Sequence, residues 1–255
     1  MRHIPLFTFA LASLLNLSHV YAAECSAQSG PHIVPLLELY TSEGCSSCPP
    51  ADKWLSALDV ASTKVTPLAF HVDYWNYIGW QDQFSKPEYS TRQRKLAAFN
   101  AAGFVYTPQF VLNGKDFKGW DQRRLQQATD QSKLQQARAQ LQLDAKTLSN
   151  GDITLTANAS TQETSIANRS DIFVALYQNQ LVSHIKAGEN NGRELHHDYV
   201  VRDLFGAYQM NRQQQFVKQF NLKNIWNNRN GGAVIFVQDS LTGEILQSLA
   251  LKFCH

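Results

Sequence analysis

The sequence lacks most of the features that announce a function through composition alone. Charge of one sign is missing: 23 Lys and Arg stand against 21 Asp and Glu, a formal +2. A chain so balanced has no basic footprint, and no nucleic-acid partner is expected. Past residue 22 no apolar run approaches the roughly 20 residues that a spanning helix requires, so no membrane span is expected once the N-terminal segment is removed. There is no P-loop, dinucleotide fingerprint or Ser-His-Asp order, and no cofactor is expected. Cysteine is scarce, at four residues. A second C-x-x-C is absent, which argues against a structural zinc centre built from two such pairs. No internal repeat is present.

What is present starts at the N-terminus. Arg2 precedes a mostly apolar run from Ile4 to Leu15, and Val20-Tyr21-Ala22-Ala23 offers small residues where a signal peptidase would cut. This is the three-part layout of a secretory signal peptide, expected over residues 1–22, and it implies a periplasmic or secreted protein. An even number of cysteines in an exported chain favours pairing. Cys45 and Cys48 form a C-x-x-C. Cys25 and Cys254 sit at the two ends of the mature chain, and chain termini often lie close together. A Cys25–Cys254 disulfide is therefore expected, worth roughly 5 kcal/mol in the chain-entropy model.

Along the chain, Val34 to Tyr40 reads as a buried strand, Thr41-Ser42-Glu43-Gly44 as a turn, and the cysteines with Pro49 and Pro50 as the start of a helix running through Trp54, Leu55 and Leu58. Val65 to Val72 reads as a second strand. The aromatic-rich stretch from Asp73 to Lys86 looks like an insertion, a core or interdomain seam in preference to a peptide groove. A helix is expected from Lys86 to Ala102 with Gly103 as its stop. A strand follows from Gln109 to Leu112, then the hairpin turn Asn113-Gly114. Asp121 to Leu143 reads as a long Gln-rich helix. After Ser149-Asn150-Gly151 the pattern turns to strands: Ile153–Ala157, Ile172–Tyr177, Val200-Val201, Ala233–Val237 and Ile245–Leu251. The expected class is α/β. The expected division is an α/β unit over 23–148 and an appended β-rich, sandwich-like unit over 149–255.

A C-x-x-C opening a helix after a buried strand has a physical logic. The helix N-terminus carries partial positive charge and unpaired N–H groups, which stabilise a thiolate. The thiolate is the species that attacks a disulfide. Cys45 is the expected nucleophile and Cys48 the resolving thiol, with protein disulfides or small thiols as substrates. Ser46 and Ser47 can donate hydrogen bonds to the thiolate. His71 and Asp73, two apart at the end of the second strand, are candidate proton acceptors at the same edge. His196, His197 and Asp198, with His184, are weak metal candidates, because adjacent strand residues such as His196 and His197 face opposite ways. Two further readings stay open. One is a binding or scaffold module in which the pair is only a staple. The other is a copper-handling site with His71 as third ligand to soft thiolates.

Tyr106-Thr107-Pro108-Gln109, followed by an apolar strand and a turn, resembles the element of thioredoxin-like proteins in which a cis-proline faces the C-x-x-C and its neighbouring backbone pairs with substrate. That resemblance gives Pro108 a catalytic role and Thr107 a substrate-binding one. Leu36 to Asp52, Phe70-His71-Val72-Asp73-Tyr74-Trp75, Tyr106 to Gln109, Gly188-Glu189-Asn190 and His197-Asp198 together resemble the exported family named domain of unknown function 1223. The resemblance implies a thioredoxin-like fold with an added β region and implies no substrate. In thioredoxin itself a buried aspartate stands six residues before the first cysteine. Leu39 occupies that position here, and Glu38 points to the opposite face of its strand.

Overall fold

The computed structural model describes residues 23–211, 213–223 and 230–254. The expected signal peptide, residues 1–22, lies outside the described residues. Three apolar clusters organise the chain, and strand alternation assigns residues to them. In β2 (Leu36–Thr41) every residue is buried. Leu36 and Tyr40 face one cluster while Leu37 and Leu39 face another, as a period of two requires. A strand covered on both faces reads as a continuous apolar run.

β2 runs parallel to β3 (Thr66–His71), in a register that sets Leu36 opposite Thr66 and Thr41 opposite His71. The crossover between them carries α1 (Pro49–Ser56) and the short α2 (Val60–Thr63). On its other side β2 pairs antiparallel with β4 (Gln109–Leu112), which pairs in turn with β5 (Lys115–Asp116). The β4–β5 turn is Asn113-Gly114, both at positive φ (50° and 80°), the geometry that makes Asn-Gly a two-residue hairpin signal. A Cβ on Gly114 would also collide with the backbone of Gly243.

These strands do not form a sheet of their own. β3 also meets β11 (Val200–Tyr208), and the order continues through β8 (Ser170–Gln178) and β13 (Gly231–Asp239) to β14 (Ile245–Lys252), eight strands in all. A second sheet, in the order β1 (Glu24–Gln28), β6 (Gln140–Thr147), β7 (Ile153–Ser160) and β12 (Gln215–Leu222), packs over one face of β8 and β13. Leu141, Leu143, Leu155, Ile172, Val174 and Ile235 fill that interface. The architecture is mixed α/β, mostly sheet with few helices. No helix among the described residues is long and apolar enough to cross a membrane.

One sequence expectation fails here. The helix expected over 121–143 stops early: α4 spans Gln122–Ser132, and Gln140–Thr147 is strand β6. Leu134, which the helical reading placed on an apolar stripe, is 84% exposed. Leu141, Leu143 and Ala145 alternate with polar residues instead, and burying that face against β7 outweighs a helical spacing that never closed a full stripe. Strands β6 and β7 thus pair across residue 149, and β1 joins the same sheet. Cys25 on β1 and Cys254 just after β14 are bridged, with 6.0 Å between Cα atoms.

The helix α3 (Pro87–Phe99) covers the sheet face opposite α1. From it Arg92 makes a two-pronged pair with the buried Glu38, at 2.7 and 2.9 Å. Tyr40 donates its hydroxyl to the same carboxylate. The guanidinium also lies 4.9 Å from the ring centres of Phe173 and Phe236, so one side chain ties β2 to β8 and β13. A buried pair of this kind is costly to break on one side only. Arg92→Met is expected to lose about 3–5 kcal/mol in urea unfolding, and the double variant Glu38→Leu/Arg92→Met to recover most of that loss.

Candidate functional site

The C-x-x-C occupies the end of the turn that leaves β2. Cys45 N–H bonds back to the Ser42 carbonyl and Cys48 N–H to that of Cys45. Cys48 is the N-cap residue of α1, without a side-chain cap, and Pro49-Pro50 form its first turn. Proline there forfeits only N–H groups that lack helical partners anyway. Cys45 and Cys48 are joined as a disulfide with Cα atoms 5.4 Å apart. The Ser47 hydroxyl lies 3.3 Å from the Cys45 sulfur.

The Thr107–Pro108 peptide bond is cis. Because Tyr40 pairs with Gln109, Pro108, the residue just before β4, lies beside the end of β2, from which the cysteine turn departs. Trp75 links the two features. Its indole N–H donates to the Thr107 hydroxyl at 2.7 Å, and its Cβ packs against Gly44, where an added methyl would come within 3.1 Å. Thr107 and Pro108 are half-buried, and Ser46 and Ser47 are exposed.

The pair itself is not open to solvent. Cys45 is 1% exposed and Cys48 0%, against the expectation of a nucleophile within a partner's reach. A hairpin covers it: β9 (Leu181–His184) and β10 (Glu194–His197), which form a separate two-stranded sheet. The Asn190 amide in its loop donates to the carbonyls of Glu43 and Cys45, and the Ser46 N–H donates to the Glu189 carboxylate at 3.0 Å.

Beneath the cysteines lies a buried ionisable cluster drawn from five segments: Glu43, Asp52, His71, Asp82 and His197. Asp52 sits one helical turn after Cys48 on the same face of α1 and accepts from the Thr41 hydroxyl at 3.1 Å. His71 Nδ1 is 2.7 Å from Asp82. The His197 ring lies 5.0 Å from that of His71, with its Nε2 3.6 Å from Glu43 and its Nδ1 3.9 Å from Asp52. Glu43 Oε1, His71 Nε2 and both His197 ring nitrogens have no hydrogen-bond partner, which is unusual for buried polar atoms.

The charges are settled by neighbours. Burial, the largest influence, pushes His71 down, but the charge and hydrogen bond of Asp82, with the Asp52 and Glu43 carboxylates, together hold the imidazole above its ordinary value. Burial pushes Asp82 up, and His71 together with the N–H groups of Glu43 and Phe84 more than reverses this. Asp52 has weaker help: burial raises its pKa and the two histidines only moderate the rise. A carboxyl that keeps its proton longer than usual, one turn from Cys48, can exchange a proton with a thiol.

His71 therefore belongs to this site, while its expected companion Asp73 does not. Asp73 is half-buried and bonds Ser90 through both its side chain and its N–H. His71 takes Asp82 instead, from the aromatic segment. Asp82, Glu43 and Asp52 had no role in the sequence reading, and His197 only a weak metal-binding one. For Asp52 a signal was there: an acidic residue four after the second cysteine of a helix-starting pair. His196 and His184 point outward, with side chains 67% and 73% exposed. Among the described residues no group of three or more His, Cys, Asp or Glu is arranged to hold a metal ion.

Two solved structures share the fold. A protein from Agrobacterium tumefaciens superposes with a TM-score of 0.67 at 24% identity, over 88% of this chain and 96% of that one. HBP35 of Porphyromonas gingivalis superposes with a TM-score of 0.64 at 16% identity, over 88% of this chain and 76% of that one. No curated protein matches the chain. Residues 36–238 match the model of a family described as a protein of unknown function, DUF1223.

The Asp52 environment makes a pH-dependent prediction. Its folded pKa stands above its unfolded value, so the folded state binds the extra proton and stability falls as pH rises past about 3.9. Asp52→Asn removes that loss. The variant is expected to be more stable than wild type at pH 8, by on the order of 1 kcal/mol. The advantage should vanish below pH 4, in urea unfolding at the two pH values.

Proposed function

From the premise that the chain belongs to the DUF1223 family, whose description names no activity, we propose that it is an exported thiol–disulfide oxidoreductase with a thioredoxin-like N-terminal region. One observation carries the reading: a Cys45–Cys48 disulfide closes the turn at the start of α1, directly above a buried cluster in which Asp52 resists ionisation. The parallel β2–β3 pair joined through α1, the antiparallel β4–β5 hairpin and the cis Thr107–Pro108 bond support the thioredoxin-like reading. Two disulfides suit an oxidising compartment.

The chemistry balances in simple steps. In the oxidising direction a substrate thiolate attacks the Cys45 sulfur, forming a mixed disulfide and releasing Cys48 as a thiolate. A second substrate thiolate then displaces Cys45, leaving the substrate as a disulfide and the protein reduced, with Cys45 as the thiolate and Cys48 as the thiol. Two electrons pass to the protein. The proton taken up by Cys48 comes from Asp52, the carboxyl one turn away. Run in reverse, Asp52 accepts that proton as Cys48 resolves the mixed disulfide. The helix N-terminus and the Ser47 hydroxyl favour the Cys45 thiolate.

The burial of both cysteines favours a second reading, a binding or scaffold module in which the pair is a structural staple. Trapping separates the two. Cys48→Ala, expressed with its signal segment, is expected to accumulate mixed disulfides through Cys45 that disappear in Cys45→Ser/Cys48→Ala. Recovery of Cys48→Ala with a free, unmodified Cys45 thiol would leave only the staple.

A further inference from the structure

The β9–β10 hairpin is held against the cysteine turn by contacts that a substrate would need for itself. Ser46 N–H, the Cys45 carbonyl and the Glu43 carbonyl are one donor and two acceptors around the disulfide. Side chains of the hairpin loop engage all three: the Glu189 carboxylate takes the N–H, and the Asn190 amide reaches both carbonyls at 3.0 and 2.8 Å. Asn190 is 0% exposed although it sits at a loop tip. Gly188, at φ +71°, lets the loop lie against Trp80, where a Cβ would come within 3.3 Å.

The hairpin is attached at two points, and both have unusual backbone. Gln180, just before β9, and Tyr199, just after β10, stand at φ 58° and 57°. Non-glycine residues adopt this left-handed region uncommonly. Each is clasped by an Asn or Asp side chain across the hairpin base, Gln180 N–H to Asp198 and Tyr199 N–H to Asn179. In the sheet the two strands pair only with each other, and outside the loop the Ser183 hydroxyl on β9 accepts from the Gln83 amide at 3.0 Å. A rigid ribbon on two bent attachments, with its tip pinned by three hydrogen bonds, has the build of a lid.

We propose that the β9–β10 hairpin is a lid whose loop, Gly188–Asn190, occupies the seat of the substrate, and that the substrate is an extended polypeptide whose own C=O and N–H groups replace the Glu189 and Asn190 contacts as the lid lifts. This rests on the exchange reading above and names its substrate class. A small thiol offers too few backbone groups to take over all three bonds. It reacts only in the fraction of molecules whose lid is already open.

The test compares two disulfides in one molecule. Wild type, Glu189→Ala/Asn190→Ala and the conservative Glu189→Gln are treated with tris(2-carboxyethyl)phosphine, and timed alkylation with mass mapping follows Cys45–Cys48 and Cys25–Cys254 separately. The double alanine variant is expected to open Cys45–Cys48 about tenfold faster or more, since it loses three hydrogen bonds that hold the lid. Cys25–Cys254 should open at its wild-type rate. Glu189→Gln should stay within a few-fold of wild type. Adding an unstructured, cysteine-free polypeptide at high concentration should speed opening in wild type, whereas equal concentrations of free amino acids should not.

An unchanged Cys45–Cys48 rate in the alanine variant overturns the lid, and so does equal acceleration of both disulfides, which would mean general loosening. Acceleration by free amino acids as strong as by the polypeptide overturns the substrate class. Failure here leaves the Cys48→Ala trapping result as it stands. An empty trap beside a confirmed lid would instead remove the exchange reading and its substrate with it, leaving the hairpin as a cover over a staple.

Discussion

A carboxylate or an imidazolium taken out of water singly is costly, and the interior beneath the cysteine turn holds five ionisable side chains with incomplete pairing. His71 and Asp82 satisfy each other at 2.7 Å. Glu43, Asp52 and His197 stand at 3.6 to 3.9 Å, too far for good hydrogen bonds, with several polar atoms left over. Such an arrangement costs stability that a folded scaffold has to supply elsewhere. The eight-stranded sheet does so: β2 is buried on both faces, and the Glu38–Arg92 pair on the opposite face locks it to the distant strands β8 and β13. With the strand held, the turn that leaves it carries Glu43 and Cys45 to one place, and α1 returns Asp52 beneath them.

The same placement governs access. His197 reaches the cluster from β10, and the loop preceding β10 supplies Asn190 and Glu189 over the cysteines. One hairpin thus covers the Cys45–Cys48 disulfide and places His197 in the buried cluster. In the proposed mechanism, lifting the hairpin exposes sulfur and rehydrates the cluster together, which links reactivity and proton transfer through one movement. The Cys25–Cys254 clasp lies apart from this, half-exposed at the ends of β1 and β14, and acts on the sandwich alone.

Much of the local structure was legible in the residues. The strand–turn–helix frame around the cysteines and the Asn-Gly hairpin follow from short-range chemistry, and the pairing of Cys25 with Cys254 from an even cysteine count and the closeness of chain ends; each is present. The misread helix at 121–143 shows where such reasoning stops. Leu134, Ala137 and Leu141 keep approximate helical spacing, and only packing against β7 reveals that Leu141 belongs with Leu143 and Ala145 in a strand. The site was half legible for a similar reason. His71 could be named from its position at a strand end, but its partner Asp82 arrives from a segment read as aromatic filler. His197 comes from more than a hundred residues further along the chain. Spacing rules describe neighbours in sequence and cannot assemble a cluster from five separated segments.

The reduction potential of Cys45–Cys48 in the full-length mature protein tests the central claim most directly. Equilibration with glutathione or dithiothreitol buffers, read by alkylation, is expected to place it well above the roughly −300 mV below which structural disulfides lie. A value at or below that level would make the pair a staple and contradict the account.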